Sequence, residues 1–207
     1  MRTAVLARTR VAIVVAAVLA SGALGAEHYA RLIAPYYAIA ARCIAAPRPW
    51  TVTDLRVVDD DRSPGIVLRL QGAVRATPSD TAVAATTVSR MHVGAVIETP
   101  LVLWTVLALW PVSTPRMRWR LLAAGIPLWV ALEILATVVP LLGPLAAASA
   151  VLAGAADPLT LWDHWSRFLE TGGRFALPLA AGMLLAASAR MSARRVAGDD
   201  VTVQQRR

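Results

Sequence analysis

Two long apolar runs separated by a short basic turn dominate the hydrophobic pattern of the chain. They cover Val93–Val112 and Trp119–Gly143, and each has the roughly 20 apolar residues that cross a hydrocarbon core about 30 Å thick. The turn between them contains Arg116, Arg118 and Arg120 and no acid. Short positively charged loops remain in the cytoplasm. The pattern therefore predicts a helical hairpin that enters the membrane from outside and turns in the cytoplasm.

Two further apolar stretches predict two more spans. Residues 11–26 follow a basic start, and a helix of about 16 residues can span if the arginines snorkel to the headgroups. The same shape fits a signal peptide, but the apolar character resumes afterwards and favours an uncleaved anchor. The last stretch, Arg174–Met191, is followed by a second basic group: Arg190, Arg194 and Arg195. Together the runs predict a mostly α, four-span helical bundle with both termini in the cytoplasm.

The hydrophobic period changes between the first and second spans. Trp50–Val58, Ile66–Ala76 and, more weakly, Ala82–Arg90 are rich in β-branched residues and partly alternate, and polar turns separate them. Residues 27–92 mix arginines with acids, as long translocated loops do. The pattern predicts a small extracytoplasmic β-rich insertion over residues 47–92. Because a lone hairpin is marginal in water, it needs a third strand, the membrane helices or a partner.

The remaining segments predict structure at the outer membrane surface. Within the N-terminal unit 1–46, Tyr29–Ala46 contains Pro35, which would kink a helix. This segment is predicted to lie along the interface with Tyr36 and Tyr37 among the headgroups. Pro144–Ala156 is too short for a span and is predicted to be a re-entrant or interfacial helix on the outer side.

The three-span unit 93–195 also contains a predicted outer-face helix over 157–171. Asp157 is a candidate N-cap, and Trp162, Trp165 and Phe168 share one helical face that could rest on headgroups. Trp104 and Trp129 fall inside spans, where helix packing explains them most simply. Residues 196–207 are predicted to form a cytoplasmic tail.

Composition agrees with a small integral membrane protein. The chain is 57% hydrophobic and only 16% charged, with a mean hydropathy of +0.57. All 21 basic residues are arginines and the net charge is +8, but 11 of these arginines lie at the termini and in the basic turn, where topology explains them without nucleic acid. The only cysteine, Cys43, excludes an intrachain disulfide, and the three scattered histidines predict no metal site. No cofactor is expected.

Ionisable residues inside spans are the main candidates for function, because each costs at least a few kcal/mol to bury in lipid. Glu98, Glu133 and Arg174 are predicted to converge in the outer half of the bundle, with His92 as a possible fourth member. In the alternative interpretation, Glu98 reaches the outer headgroups and Glu133 is protonated or hydrogen-bonded between helices. The prolines within the spans favour a compact bundle, because neighbours must satisfy the carbonyls that they free. Gly182 and Ala186 form a weak small-xxx-small signal.

Cys43 is the one candidate nucleophile. The adjacent Arg42 can lower a thiol pKa, but no histidine has a spacing that guarantees a base within reach, so a buried, inert cysteine is favoured. No motif for a nucleophile elbow, a P-loop or a zinc protease is present. No catalytic residue is therefore assigned.

Two short motifs, together with the layout of the chain, carry a resemblance to a known family. The second span opens with Glu98-Thr99-Pro100-Leu101, and Trp165–Pro178 reads WSRFLETGGRFALP. With the N-terminal anchor, the external β-rich segment and the basic turn, these resemble the small membrane proteins associated with exosortase H. The resemblance implies a bacterial inner-membrane protein that accompanies a sorting enzyme of cysteine-transpeptidase type, without being that enzyme.

The expected function is thus a non-enzymatic accessory whose partners are the lipid bilayer and an exosortase-like membrane protein. The competing class is a membrane-embedded enzyme that acts on a lipid or peptide through Cys43 or the pair Glu98 and Glu133. A transporter is disfavoured because the four predicted spans show no internal repeat.

Overall fold

A computed structural model describes residues 25–60, 65–75, 83–111, 115–154 and 161–204. The chain is mostly helical with one small antiparallel sheet, as predicted. The first predicted span, 11–26, lies almost wholly outside the described residues. In chain order the elements are α1 (25–45), β1 (Trp50–Asp59), β2 (Ile66–Arg75), β3 (Val83–His92), α2 (Val93–Leu109), α3 (Pro115–Glu133), α4 (Val139–Leu152), α5 (Leu161–Phe168) and α6 (Arg174–Gln204). Two π-helical segments, Ile134–Val138 and Leu169–Gly173, join α3 to α4 and α5 to α6.

The sheet has the order β1-β2-β3 with antiparallel neighbours. The observed strands confirm the predicted ones to within two residues at each described end. Leu68, Leu70 and Val74 alternate along β2 and are buried against α1 and α4. The sheet thus has the third strand and the helical cover that a small sheet needs for stability.

A second hydrophobic core lies between α2, α3 and α6. The rings of Trp104 and Trp129 lie 6.3 Å apart between α2 and α3, which confirms the helix packing expected for them. At Gly182 of α6, a Cβ would lie 3.0 Å from Val106, and Ala186 is fully buried, so this small pair does provide close packing. A Cβ at Gly125 of α3 would likewise meet α2.

These contacts also fix the directions of the three helices. Trp129 lies further along α3 than Gly125 but meets an earlier residue of α2, so α2 and α3 are antiparallel. Arg174 contacts Ala95 and Gly182 contacts Val106, so α2 and α6 are parallel. The start of α2, the end of α3 and the start of α6 therefore meet at the end of the bundle that carries the sheet.

One helix belongs to both cores. Pro115–Leu152 runs for 38 residues without a break, which corrects the prediction of a span ending at Gly143 and a separate interfacial helix over Pro144–Ala156. The reason is packing: Leu141, Leu142 and Leu145 are buried beneath the sheet, so this apolar stretch is protein core.

Two helical stretches are long and apolar enough to cross a membrane, Pro115–Leu152 and Leu161–Ala189. The shorter apolar helix α2 has 17 residues. By length and composition, two helices within the described residues are candidate membrane spans. The predicted bundle of four spans is not confirmed.

One prediction about the flanking helices needs correction, that of an interfacial segment kinked at Pro35. α1 runs unbroken through Pro35, and Tyr37 is 2% exposed while Tyr36 is 65% exposed, so the two tyrosines do not share an interface. α5 begins at Leu161, and the proposed N-cap Asp157 lies outside the described residues. α6 continues to Gln204 through most of the predicted tail, a segment without proline.

Candidate functional site

Glu133 is the only buried carboxylate among the described residues, with 3% of its surface exposed. The hydroxyl of Tyr29 donates to Oε1 at 3.1 Å, and the hydroxyl of Tyr37 donates to Oε2. Both tyrosines come from α1, so each carboxylate oxygen has a donor from a neighbouring helix. Burial of an acid is costly unless it is hydrogen-bonded, and this arrangement meets that condition.

Helical spacing explains how the chain builds this contact. Trp129, Glu133 and Thr137 are separated by four residues each and lie on one side of their helix. Tyr29 and Tyr37 are eight residues apart on α1, about two turns, so they reach the same carboxylate from above and below. The result is a polar seam between α1 and α3.

An apolar groove of about 420 Å³ runs beside this seam, between α1 and α3. Glu133 lies at its wall. Its lining is otherwise mainly apolar or aromatic and includes Leu32, Tyr36, Ala40, Trp129, Val130 and Ile134. Among the described residues that line the groove, Glu133 is the one charged group.

The π-helical segment after Glu133 creates an attachment point for α5. Val139 donates its N–H to the carbonyl of Ile134, so the next carbonyl, that of Leu135, falls opposite residue 140. Residue 140 is proline and has no N–H. The indole N–H of Trp165 donates to the Leu135 carbonyl at 2.7 Å instead. Trp165 thus satisfies the acceptor and holds α5 against the long helix.

A second, polar cavity of about 470 Å³ lies where β3, α2, α4, α5 and α6 meet. We call it the outer pocket. Arg174 lines it, and its Nη1 donates to the carbonyl of Ala95 at 3.0 Å while Nη2 lies 3.4 Å from the sulfur of Met91. Other polar residues at its walls are Ser89, Arg90, His92, Asp163, Ser166 and Glu170.

The predicted cluster of four is only partly assembled in one place. His92 and Arg174 line the outer pocket together. Glu133 lies in the tyrosine seam, in agreement with the alternative that it is hydrogen-bonded between helices. Glu98 is half-buried on α2. Glu98, Glu170 and Glu133 all interact electrostatically with Arg174, so this guanidinium is the common centre of the region's charges.

The candidate nucleophile is not in a buried site. Cys43 is exposed near the end of α1, in contrast to the buried cysteine that the sequence favoured. Within the described ranges, no group of three or more His, Cys, Asp or Glu side chains is placed to hold a metal ion. Cys43 lines neither the groove beside Glu133 nor the cavity around Arg174.

Sequence reasoning missed Tyr29 and Tyr37 as partners of Glu133. A tyrosine next to a membrane segment is ordinarily an interfacial residue. The available signal was their eight-residue spacing, which places them on one helical face and leaves Tyr36 on another. Ser166 and Glu170 of the outer pocket share the same kind of signal, because they are four residues apart.

No protein-family model, curated protein or solved structure matches the chain.

Proposed function

We propose that the chain is a multi-pass protein of the bacterial inner membrane with four spans, both termini in the cytoplasm and residues 47–92 outside. Helix directions support this placement. The three arginines at the start of α3 and the later arginines of α6 belong to the same end of the bundle, and the sheet lies at the opposite end. Arginine-rich ends remain on the cytoplasmic side. The apolar residues 11–26 supply the first span in this scheme.

Within this proposal, the length of the helix Pro115–Leu152 supports a position for the membrane boundary. Its 38 residues extend about 57 Å, whereas the hydrocarbon core is about 30 Å thick. Nearly half of the helix must therefore project from the lipid. The half that packs on the sheet is α4, which puts the boundary near the π-helical segment and Glu133.

In this position the chain acts as a non-enzymatic accessory of an exosortase-type sorting enzyme. The observation that carries the proposal is the helix shared by both hydrophobic cores. It couples the external sheet to the membrane bundle, so the sheet is presented to neighbouring membrane proteins at a defined height and angle. The class of partner comes from the resemblance of the Glu98–Leu101 and Trp165–Pro178 motifs.

Geometry favours an accessory over the competing membrane-embedded enzyme. Glu133, the acid that an enzyme would use, has both oxygens occupied by tyrosine hydroxyls. Cys43 is exposed on α1, and Glu98 is half-buried on a different helix. Cys43 does not line the groove beside Glu133, so the thiol and this carboxylate do not share one cavity.

Co-purification tests the proposal. The tagged chain and an exosortase from the same cell, extracted in a mild detergent, are expected to elute together, and deletion of the chain is expected to reduce sorting of a substrate with a C-terminal sorting signal. Cys43→Ala should preserve both results. Loss of sorting in Cys43→Ala with the complex intact would instead favour the thiol enzyme.

Reporter fusions test the topology separately. A fusion after Arg118 is expected to be active with a reporter enzyme that works only in the cytoplasm. A fusion after Gly65 is expected to be active with a reporter enzyme that works only outside the cytoplasm. The opposite pattern would exclude the proposed orientation whatever the partner.

A further inference from the structure

Three arginines stand side by side across the sheet. Arg56 is directly opposite Arg69, and Arg69 is directly opposite Arg90. Residues in such register share a face of the sheet, with their Cβ atoms about 5 Å apart. This is the face opposite to the one that buries Leu68 and Leu70, because neighbouring residues of β2 alternate. We call Arg56, Arg69 and Arg90 the arginine row.

Like charges directly opposite one another destabilise a sheet, and the local partners offset this only in part. Nε of Arg56 lies 3.0 Å from Asp54 Oδ2, and Nε of Arg90 lies 3.2 Å from Asp60 Oδ2. The central Arg69 meets a neutral group: with the amide of Gln71 turned so that its oxygen accepts, that oxygen lies 3.2 Å from Nε. Among the described residues, the ionic contacts thus join Arg56 and Arg90 to carboxylates, whereas Arg69 contacts an amide.

The donors of the row are also not exhausted by these contacts. A guanidinium carries five N–H donors in a planar fork suited to phosphate or carboxylate. Both ionic contacts are made through Nε. Within the described residues, the row therefore keeps N–H donors for an anion approaching the outer face of the sheet.

The position of the row relative to the membrane narrows the kind of anion. β3 ends at His92 and α2 begins at Val93, so no linker separates the sheet from this membrane helix. Arg90 lies two residues before His92, about 7 Å along the strand. The headgroup region extends about 5–7 Å beyond the hydrocarbon core. In the proposed membrane placement, with the strands along the membrane normal, the whole row lies near the depth of the lipid phosphates, because Arg69 and Arg56 are level with Arg90.

We propose that the arginine row binds the phosphate groups of anionic phospholipids in the outer leaflet and holds the sheet at the membrane surface. Charge complementarity identifies an anion, and the depth of the row favours a lipid phosphate over an acidic segment of a partner protein. The inference rests on the proposed membrane placement but not on the exosortase partnership.

Lipid titration of the full-length protein in a neutral detergent tests the proposal. Phosphatidylglycerol binding, measured by native mass spectrometry, is expected to weaken about fivefold in Arg69→Gln, because one basic residue near an anionic surface contributes about 1 kcal/mol. Arg69→Lys should lie between wild type and Arg69→Gln, since lysine keeps the charge but not the fork. Arg42→Gln is the matched control, because Arg42 is an exposed arginine of α1 outside the row. It should bind like wild type.

Several outcomes would overturn the proposal. Equal affinity of wild type and Arg69→Gln would exclude the row as the site. Equal binding of inorganic phosphate at the same concentration would show that no lipid is selected, and preferential binding of a polyglutamate peptide would assign the row to an acidic protein. If Arg69→Gln does not fold, Arg56→Gln provides the same comparison. Weakened lipid binding is independent of co-purification with the exosortase, so the two proposals fail separately.

Discussion

The two halves of the long helix both contain an apolar stretch, but these stretches have opposite surroundings. Along α4, the large side chains at Leu141, Leu142 and Leu145 are covered by the sheet and its neighbours. Along α3, Trp119, Ile126 and Val130 are exposed on the outside of the three-helix bundle. An apolar surface of this extent requires another cover, and the proposed bilayer supplies it for α3. One apolar run can thus be part membrane span and part protein core.

Polar groups mark the joint between the two halves. Glu133 ends α3 and is held by two tyrosines of α1, and the freed carbonyl of Leu135 is held by Trp165. Each contact ties a different outside helix to the same turn of the long helix. The joint is therefore the place where α1, α5 and both cores are connected, and mutations on either side of it should have distinguishable effects.

The largest expected effect comes from removing volume beneath the sheet. Leu145 has no exposed surface and packs against β2, where its methyl groups lie 2.7–2.9 Å from the position that a Cβ on Gly72 would take. Leu145→Ala should lower the free energy of unfolding by about 2–5 kcal/mol, as core leucine truncations do. Thermal and denaturant unfolding in mild detergent would measure the loss.

Leu184→Ala on α6 is the matched control. Leu184 is 71% exposed on the bundle, so the same truncation opens no cavity within the protein and should cost well under 1 kcal/mol in detergent. Equal losses for the two variants would mean that the surroundings of the two regions do not differ as described.

Most of the sheet could be predicted from the sequence, whereas the packing of α4 against that sheet could not. Partial period-two alternation and β-branched residues identify β1, β2 and β3. An apolar stretch rich in alanine and proline, such as Pro144–Leu152, has no period that separates lipid from protein as its cover. That distinction depends on the sheet, which is distant in sequence.

The same limit applies to the candidate site. Glu133 stood out because a carboxylate inside an apolar run is costly. Its partners lie 96 and 104 residues away in sequence, and no local pattern pairs them. The register that aligns Arg56, Arg69 and Arg90 likewise depends on turn lengths and on a bulge between Val52 and Asp54.

At the joint, two substitutions of Glu133 should distinguish the contribution of its hydrogen bonds to stability from the contribution of its charge. Glu133→Leu removes the acceptor of both tyrosine hydroxyls, and each buried hydroxyl left unpaired costs about 1–3 kcal/mol. Glu133→Gln keeps one carbonyl oxygen as an acceptor and should lose less. Unfolding of the two variants in detergent would give the difference. If Glu133→Leu were as stable as wild type, the tyrosines would not depend on the carboxylate.

Within the bundle, overpacking should have a smaller effect. A Cβ at Gly125 would lie 2.6 Å from a methyl group of Leu107 and 3.2 Å from the ring of Trp104. Gly125→Ala should cost about 1–3 kcal/mol from overpacking, reduced by up to about 1 kcal/mol because alanine favours a helix. Gly94→Ala, where nothing lies within 4 Å, should show only the gain. A stabilised Gly125→Ala variant would contradict the close contact between α2 and α3.

The smallest expected effect comes from the indole that holds α5 to the joint. Trp165→Phe keeps most of the ring but removes the donor to the Leu135 carbonyl, at a cost of about 0.5–1.5 kcal/mol. Pro140→Ala supplies a backbone N–H at the position where this carbonyl has none. In the Pro140→Ala background the indole bond is redundant, so Trp165→Phe should cost less there. A double-mutant cycle on the free energy of unfolding measures this coupling, and equal costs in both backgrounds would show that Trp165 does not compensate for the proline.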